Sequence, residues 1–290
     1  MIPEFPQFKN LELSDKDEIE AITSKYPPYS DFNFTSMWSW DIENELQISK
    51  LNNNLIVKFR DYITREPFYS LIGINNINDS VDKLLSLSKK EGLIPRLKLV
   101  PNEVVENLDK NKFKIKEDKD HFDYILKINS IVSHRKEAVR HFKNEFNTHS
   151  ILIDSKNDIE FNSISIFLKK LFEIDSDLKN EIQAIERLKL INNKNIIILA
   201  ILYKNKVIGF VINELLDNNY AMGHFLKADK SFSKLIFSYV MNESASSLVN
   251  LKCNQINIQQ DLGIEGLRKW KESYQPCLYF KKYIVEYNHE

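Results

Sequence analysis

The spacing of apolar and polar residues changes rhythm many times along the chain, and each change marks an element. Residues 11–25 carry an acidic helical pattern that Ser14 is placed to cap, with Asp17 three residues on. Residues 27–41, PPYSDFNFTSMWSWD, open in a turn and are dense in rings. Tyr29, Phe32, Phe34, Trp38 and Trp40 are expected to supply core and inter-domain packing. LQISKL and NLIVKFRD (46–61) alternate with period two around an Asn-rich turn, and FYSLIGI (68–74) reads as a third strand. VDKLLSLSKKEG (81–92) is an amphipathic helix stopped at Gly92. A strand at 95–100, a short helix at 102–108 and a strand at 121–128 follow.

The second half repeats this recipe without repeating the sequence. HRKEAVRHFKNEF (134–146) is a basic helix and ISIFLKKLFEI (164–174) another. Residues 195–226 read as a meander of three strands, with turns at Lys204–Lys206 and Asp217–Asn219. A long helix (232–249), a strand (255–260), a helix in 259–276 and a last strand (278–287) complete the chain. The pattern predicts an α/β protein with mixed sheets, helices on their faces, and two domains, 1–130 and 131–290.

Composition narrows the class. With 43% hydrophobic and 11% aromatic residues the chain is rich enough in core formers to fold. The net charge of −1 argues against bulk electrostatic attraction to nucleic acid or anionic lipid. Cys253 and Cys277 make neither a disulfide framework nor a zinc site, so no metal is expected. The start, MIPEFPQFKN, does not read as a signal peptide, and the longest apolar run, residues 196–203, is far too short to span a bilayer. A cytoplasmic protein without a transmembrane segment is expected.

The richest stretch is QQDLGIEGLRKWKESYQP, 259–276. Ile264, Leu267, Trp270 and Tyr274 recur at helical spacing and predict a buried face. Glu265 and Lys269 form an i,i+4 pair, Asp261 stands where an N-cap belongs, and Pro276 ends the helix. Gly266 breaks the pattern. A glycine inside a helix costs roughly 1 kcal/mol relative to alanine and points to a close approach by backbone or ligand. With Asp261 and Glu265 at its start, this helix end suits an amine better than a phosphate.

Three other segments carry chemistry or a bland alternative to it. In MGHFLKADKSFSKL (222–235), His224 and Lys227 precede a helix that Ser231 or Ser233 is placed to cap, an anion site or a surface turn. The basic helix 134–146, with Arg135, Lys136, Arg140 and Lys143, is a phosphate contact or a solvated face. The aromatic stretch at 29–40 is read as packing.

NIQQDLGIEGLRKWKESYQP closely resembles a signature of the family related to the C-terminal domain of phosphatidylglycerol lysyltransferase. That pattern runs Asn, two variable-to-acidic positions, then QDLGIEGLRKAKxSYxP. Asn257, Gln260 to Lys269, Lys271, Ser273, Tyr274 and Pro276 match it. The aromatic stretch and GHFLKA look like two further landmarks. The family more often has Arg-Glu where this chain has Ile258 and Gln259, which removes a candidate base.

The resemblance implies two GNAT-like (acyl-CoA N-acyltransferase fold) domains in tandem and an aminoacyl or acyl transfer in which an amine or hydroxyl attacks an activated ester. Aminoacyl-tRNA or acyl-CoA would be the co-substrate, with no resident cofactor, and a small-molecule, peptide or lipid the acceptor. An acyl-CoA N-acyltransferase and a non-catalytic binding protein of the same fold stay open as alternatives. Ordinary GNAT enzymes cradle pyrophosphate on a glycine-rich loop, where this chain reads KADKSFSKL without glycine. Under this reading Asp261 and Glu265 orient or deprotonate the acceptor. Lys227 and Arg268 hold phosphate or oxyanion, and Tyr274 and His224 are candidate acids or bases. Lys269, Gly266 and Asn257 line the substrate site.

Overall fold

The structure is a computed structural model, and it describes every residue except 63, 135, 155–156, 174–177, 192 and 289–290. Arg135 of the basic segment therefore lies outside the described residues. The chain first builds β1 (Lys9–Asn10), α1 (Lys16–Thr23), α2 (Phe34–Trp40), β2 (Gln47–Leu51), β3 (Asn54–Arg60) and β4 (Pro67–Ile72). It continues through α3 (Ile77–Lys90), β5 (Arg96–Pro101), α4 (Asn102–Val105), β6 (Phe113–Glu117) and β7 (Asp123–Lys127). Then come α5 (Ile128–Ser133), α6 (Lys136–Phe146), β8 (His149–Ile153), α7 (Asp158–Phe172) and α8 (Lys179–Lys189). The long meander is β9 (Ile196–Tyr203), β10 (Lys206–Leu215) and β11 (Tyr220–Ala228), followed by α9 (Ile236–Asn250) and β12 (Gln255–Asn257). Last are α10 (Glu265–Glu272), β13 (Leu278–Phe280) and β14 (Lys282–Tyr287).

Two compact units result, each around one mixed seven-stranded sheet. In the first unit the strand order is β1-β2-β3-β4-β5-β14-β6. Its core packs the inner face of α3 (Val81, Leu84, Leu85) on Ile56, Leu71, Leu97 and Val285. The aromatic segment belongs here: Tyr29, Phe32, Phe34 and Trp38 are buried, as a packing role requires.

In the second unit the order is β13-β7-β12-β11-β10-β9-β8. The α9 helix covers β10 and β11, with Tyr239, Val240 and Met241 buried along it. The hairpin turns place Lys204, Asn205, Asn218 and Asn219 at positive φ, the geometry that tight antiparallel hairpins demand.

The division of the chain differs from the expected cut at residue 130. The first unit is residues 1–123, 260–265 and 279–290; the second is 124–259 and 266–278. The segment 278–287 reads as one strand, yet it breaks at Lys281 into β13, in the second sheet, and β14, in the first. Strand pairing over such a separation leaves no mark in local periodicity, so pattern reading assigned both pieces to the second domain.

Candidate functional site

Three features of the second unit meet around β11. The first is a bulge. β10 and β11 pair in regular register up to Ile212 opposite Phe225 and resume at Asn213 opposite Gly223, so His224 is the extra residue. Bulges re-aim a side chain and sharpen the local twist. Here His224 is turned into the interior, its side chain 1% exposed, with Nε2 3.1 Å from Oε2 of Glu214. Glu214 is equally buried, and its Oε1 accepts from Asn193 Nδ2 at 2.7 Å. This arrangement gives His224 a buried carboxylate partner. The acid–base role expected of it would require the site to open.

The second feature is a splay. β12 runs parallel to β11 only where Tyr220–Met222 face Gln255–Asn257. β11 then continues to Ala228 while the other strand ends, leaving a wedge whose first residue is Gly223. Gln259 bridges it. Asn257 Oδ1 accepts from the Gln259 backbone N–H at 2.7 Å, Gln259 takes a left-handed φ of 60°, and its side-chain Nε2 donates to Gly223 O at 2.8 Å. A carboxylate at this position has no proton to donate to that carbonyl. The glutamine that departs from the family pattern is thus the residue type this contact needs.

A lysine secures the wedge from beneath. Lys271 of α10 is 4% exposed. Its ammonium donates to the carbonyls of Ile258 at 2.7 Å and Gln259 at 3.0 Å and lies 5.5 Å from the Tyr124 ring centroid. The predicted apolar face of α10 is corrected accordingly. Tyr274 is buried against Trp270 and His134, but Ile264 is 55% exposed. Lys271 occupies the interior because its stem is apolar and the two carbonyls satisfy its charged tip.

The third feature is the loop from β11 to α9, where a GNAT enzyme binds pyrophosphate. Asp229 is buried in it, and its Oδ1 accepts from both the backbone N–H (3.0 Å) and the hydroxyl of Ser231. Lys170 adds a 3.2 Å ion pair. Burial alone would raise this carboxyl, but the Ser231 and Lys170 hydrogen bonds outweigh it and hold it below the usual 3.8. Ser233 Oγ accepts from Leu235 N. The Ser231 amide thus faces the protein's own acid, and the Phe232, Leu235 and Ile236 amides are taken up within the loop. Lys227, expected to hold phosphate, is paired with Glu181 of α8.

The first unit holds a buried ionic cluster that pattern reading missed. The Lys282 ammonium is 2.7 Å from Asp123 Oδ1, 3.3 Å from Ser30 Oγ and 3.2 Å from Gln260 Oε1, and is ion-paired with Asp31. Ser30 donates to Asp123 through N (2.7 Å) and Oγ (2.6 Å). Lys282, Asp31 and Asp123 are each at most 4% exposed. Burial pulls Lys282 down, but the Asp123 and Asp31 carboxylates prevail and keep it above its ordinary 10.5. Two carboxylates share one ammonium, so burial and the surplus charge lift Asp31. The signal was present in sequence: each charge has an aromatic neighbour, in SDF, FDY and FKKY.

The family model "Phosphatidylglycerol lysyltransferase, C-terminal" matches residues 23–286. The chain belongs to this family. A conserved protein of unknown function from Bacteroides thetaiotaomicron superposes with a TM-score of 0.81 at 24% identity, over 99% of this chain and all of that one. The C-terminal domain of a putative lysylphosphatidylglycerol synthetase from Agrobacterium fabrum gives 0.67 at 8% identity, over 96% of this chain and 93% of that one. FemX gives 0.58 at 10% identity, over 96% of each chain. No curated protein sequence matches. These likenesses fix the fold as GNAT-like units in tandem, and the family takes its name from a lysyltransferase. Among the described residues no helix is long and apolar enough to cross a membrane.

Within this lysyltransferase-family fold the remaining predicted residues separate. Asn257 is fully buried at the wedge. Asp261 is also fully buried, and it caps the turn before the helix rather than α10 itself: its Oδ1 accepts from Gly263 N at 2.8 Å and its carbonyl from Ile264 N. A carboxylate held this way stabilises the left-handed Gly263 and is closed to an acceptor. Glu265, Gly266 and Lys269 are exposed and Arg268 is half-buried. Among the described residues a Cβ on Gly266 would meet no atom beyond its own helix within 4 Å, so none of them makes the close approach expected there.

Proposed function

We propose that this chain transfers an aminoacyl group from an aminoacyl-tRNA ester to an amine or hydroxyl acceptor, at the wedge between β11 and β12. The acceptor's nitrogen or oxygen attacks the ester carbonyl, the carbon–oxygen bond to the ribose breaks, and the ribose hydroxyl leaves with the acceptor's proton. Asn257, Gln259 and Lys271 hold the wedge in shape, and Arg268 and Lys269 contact the donor's phosphates. The observation that carries this reading is the loop after β11. Its glycine-free backbone is turned onto buried Asp229, which disfavours the pyrophosphate of coenzyme A by both charge and occupied donors. Family membership supports acyl transfer in general.

Radiolabelled aminoacyl-tRNAs covering all amino acids, offered with lipid and peptide acceptors, test the proposal. Acceptor-dependent release of label faster than spontaneous hydrolysis is expected. Label that stays on tRNA with every combination overturns it, and calorimetric binding of acetyl-CoA would return the acyl-CoA reading to first place.

A further inference from the structure

A cavity of about 150 Å³ opens in the first unit where β4 and β5 begin, under the end of α3. It lies at the N-terminal ends of these parallel strands, whereas the transfer site proposed above is in the second unit. A water claims about 30 Å³ of liquid volume, so the space holds about five waters or one molecule of amino-acid size.

The lining has an unusual charge pattern. Lys98 and Asp61 neutralise each other as an ion pair, and the Lys98 ammonium sits 5.0 Å from the centroid of Phe68. Arg96 and Glu66 line the same cavity. Neither side chain has a hydrogen-bond or ion-pair partner among the described residues, and the two are not within ion-pair distance of each other. Arg96 and Lys98 project from the same face of β5, with Leu97 buried on the other. Lys98 and Leu99 together oppose Ile284 in a bulge, Leu99 taking a φ of 57°. Ile94, 54% exposed, supplies an apolar rim.

An unpaired guanidinium and an unpaired carboxylate across a small cavity, over an aromatic ring, complement a molecule carrying both charges. We infer that this cavity binds a free α-amino acid, its carboxylate on the Arg96 fork and its ammonium on Glu66, with the side chain toward Phe68 and Ile94. The inference stands independently of the transfer reaction, since no residue of the wedge takes part.

Ligand-observed NMR and calorimetry on the whole chain, with each of the twenty amino acids up to about 10 mM, detect millimolar binding. At least one amino acid is expected to bind. Its primary amide and its N-acetyl derivative, each lacking one charge, should bind at least about tenfold more weakly. Arg96→Met and Glu66→Gln should each abolish binding while leaving the unfolding midpoint unchanged, because neither side chain has a partner to lose among the described residues. The inference is overturned if no amino acid binds, if the N-acetyl derivative binds as well as the parent, which would make the cavity a simple anion site, or if either variant binds normally.

Discussion

Replacing Lys282 with methionine keeps an apolar side chain of similar length and removes only the ammonium. The three hydrogen bonds to Asp123, Ser30 and Gln260 and the ion pair with Asp31 go with it. Two buried carboxylates are left facing each other without a counter-charge. Breaking a buried pair from one side costs about 3–5 kcal/mol, a large part of a domain's total stability of about 5–15 kcal/mol. The sign of the pH dependence follows from burial. Asp31 is already held above its unfolded value by burial, and Lys282→Met removes the ammonium that opposes this, so stability is highest below the unfolded value and is lost as pH rises through the folded one. The deficit should therefore widen as pH rises above the ordinary carboxylate value of Asp31. In the unsubstituted protein Lys282 itself is raised above 10.5. Its contribution is complete below that value and disappears only in strong alkali. Urea unfolding followed by tryptophan fluorescence in a Trp270→Phe background, which leaves Trp38 and Trp40, reads the first unit, and Lys282→Met/Asp31→Asn/Asp123→Asn serves as the neutral reference. A loss under about 1 kcal/mol at pH 7, or a triple variant no more stable than the single one, would refute the reasoning.

Gly266→Ala should raise stability by about 0.4–1 kcal/mol, because the new methyl meets no atom beyond its own helix among the described residues and a glycine leaves the first turn of α10; a lower melting temperature would contradict this. Gln259→Glu sets a carboxylate against Gly223 O and should cost about 1–3 kcal/mol at neutral pH, read by chemical unfolding, with transfer activity falling alongside. Asp229→Asn loses charge-assisted hydrogen bonds and should cost about 1–3 kcal/mol near pH 7. Asp229 is depressed in the folded state, so its contribution exists above its ordinary 3.8 and fades as pH falls through the folded value. The variant and parent curves should converge in acid, and a gap that persists there would assign the effect to something other than charge.

The elements read from periodicity are those with two clear ends and a buried face. β9, β10 and β11 carry long apolar runs joined by Asn-containing turns at positive φ, and they lie within a few residues of expectation. The three strands without a counterpart in the sequence pattern, the two-residue β1 and the longer β6 and β8, are all sheet edges. In the longer two, alternation is blurred by exposure: FKIKE keeps only Phe113 buried and HSILI only Ile153. The α8 helix was missed because 179–189 is largely polar, with Ala184, Ile185 and Leu188 its buried residues. Site residues were harder to read. Asn257, at the wedge, is legible through the family signature, while Lys271, which matches the same signature, gives no sign of its burial because a lysine on a helix ordinarily marks its wet side. His224 was noticed, but its burial depends on a bulge and on Glu214, ten residues away across a hairpin.

The placement of β14 between β5 and β6 bears on how the chain is made. A ribosome emits residues in order, at about 5–20 per second. Roughly ten to thirty seconds therefore pass between synthesis of β6 and β14. Throughout that interval β5 and β6 lack the strand that joins them, and β5 presents an open edge of the kind that recruits foreign strands. A nascent chain stalled anywhere short of residue 282 is consequently the form most in need of a chaperone.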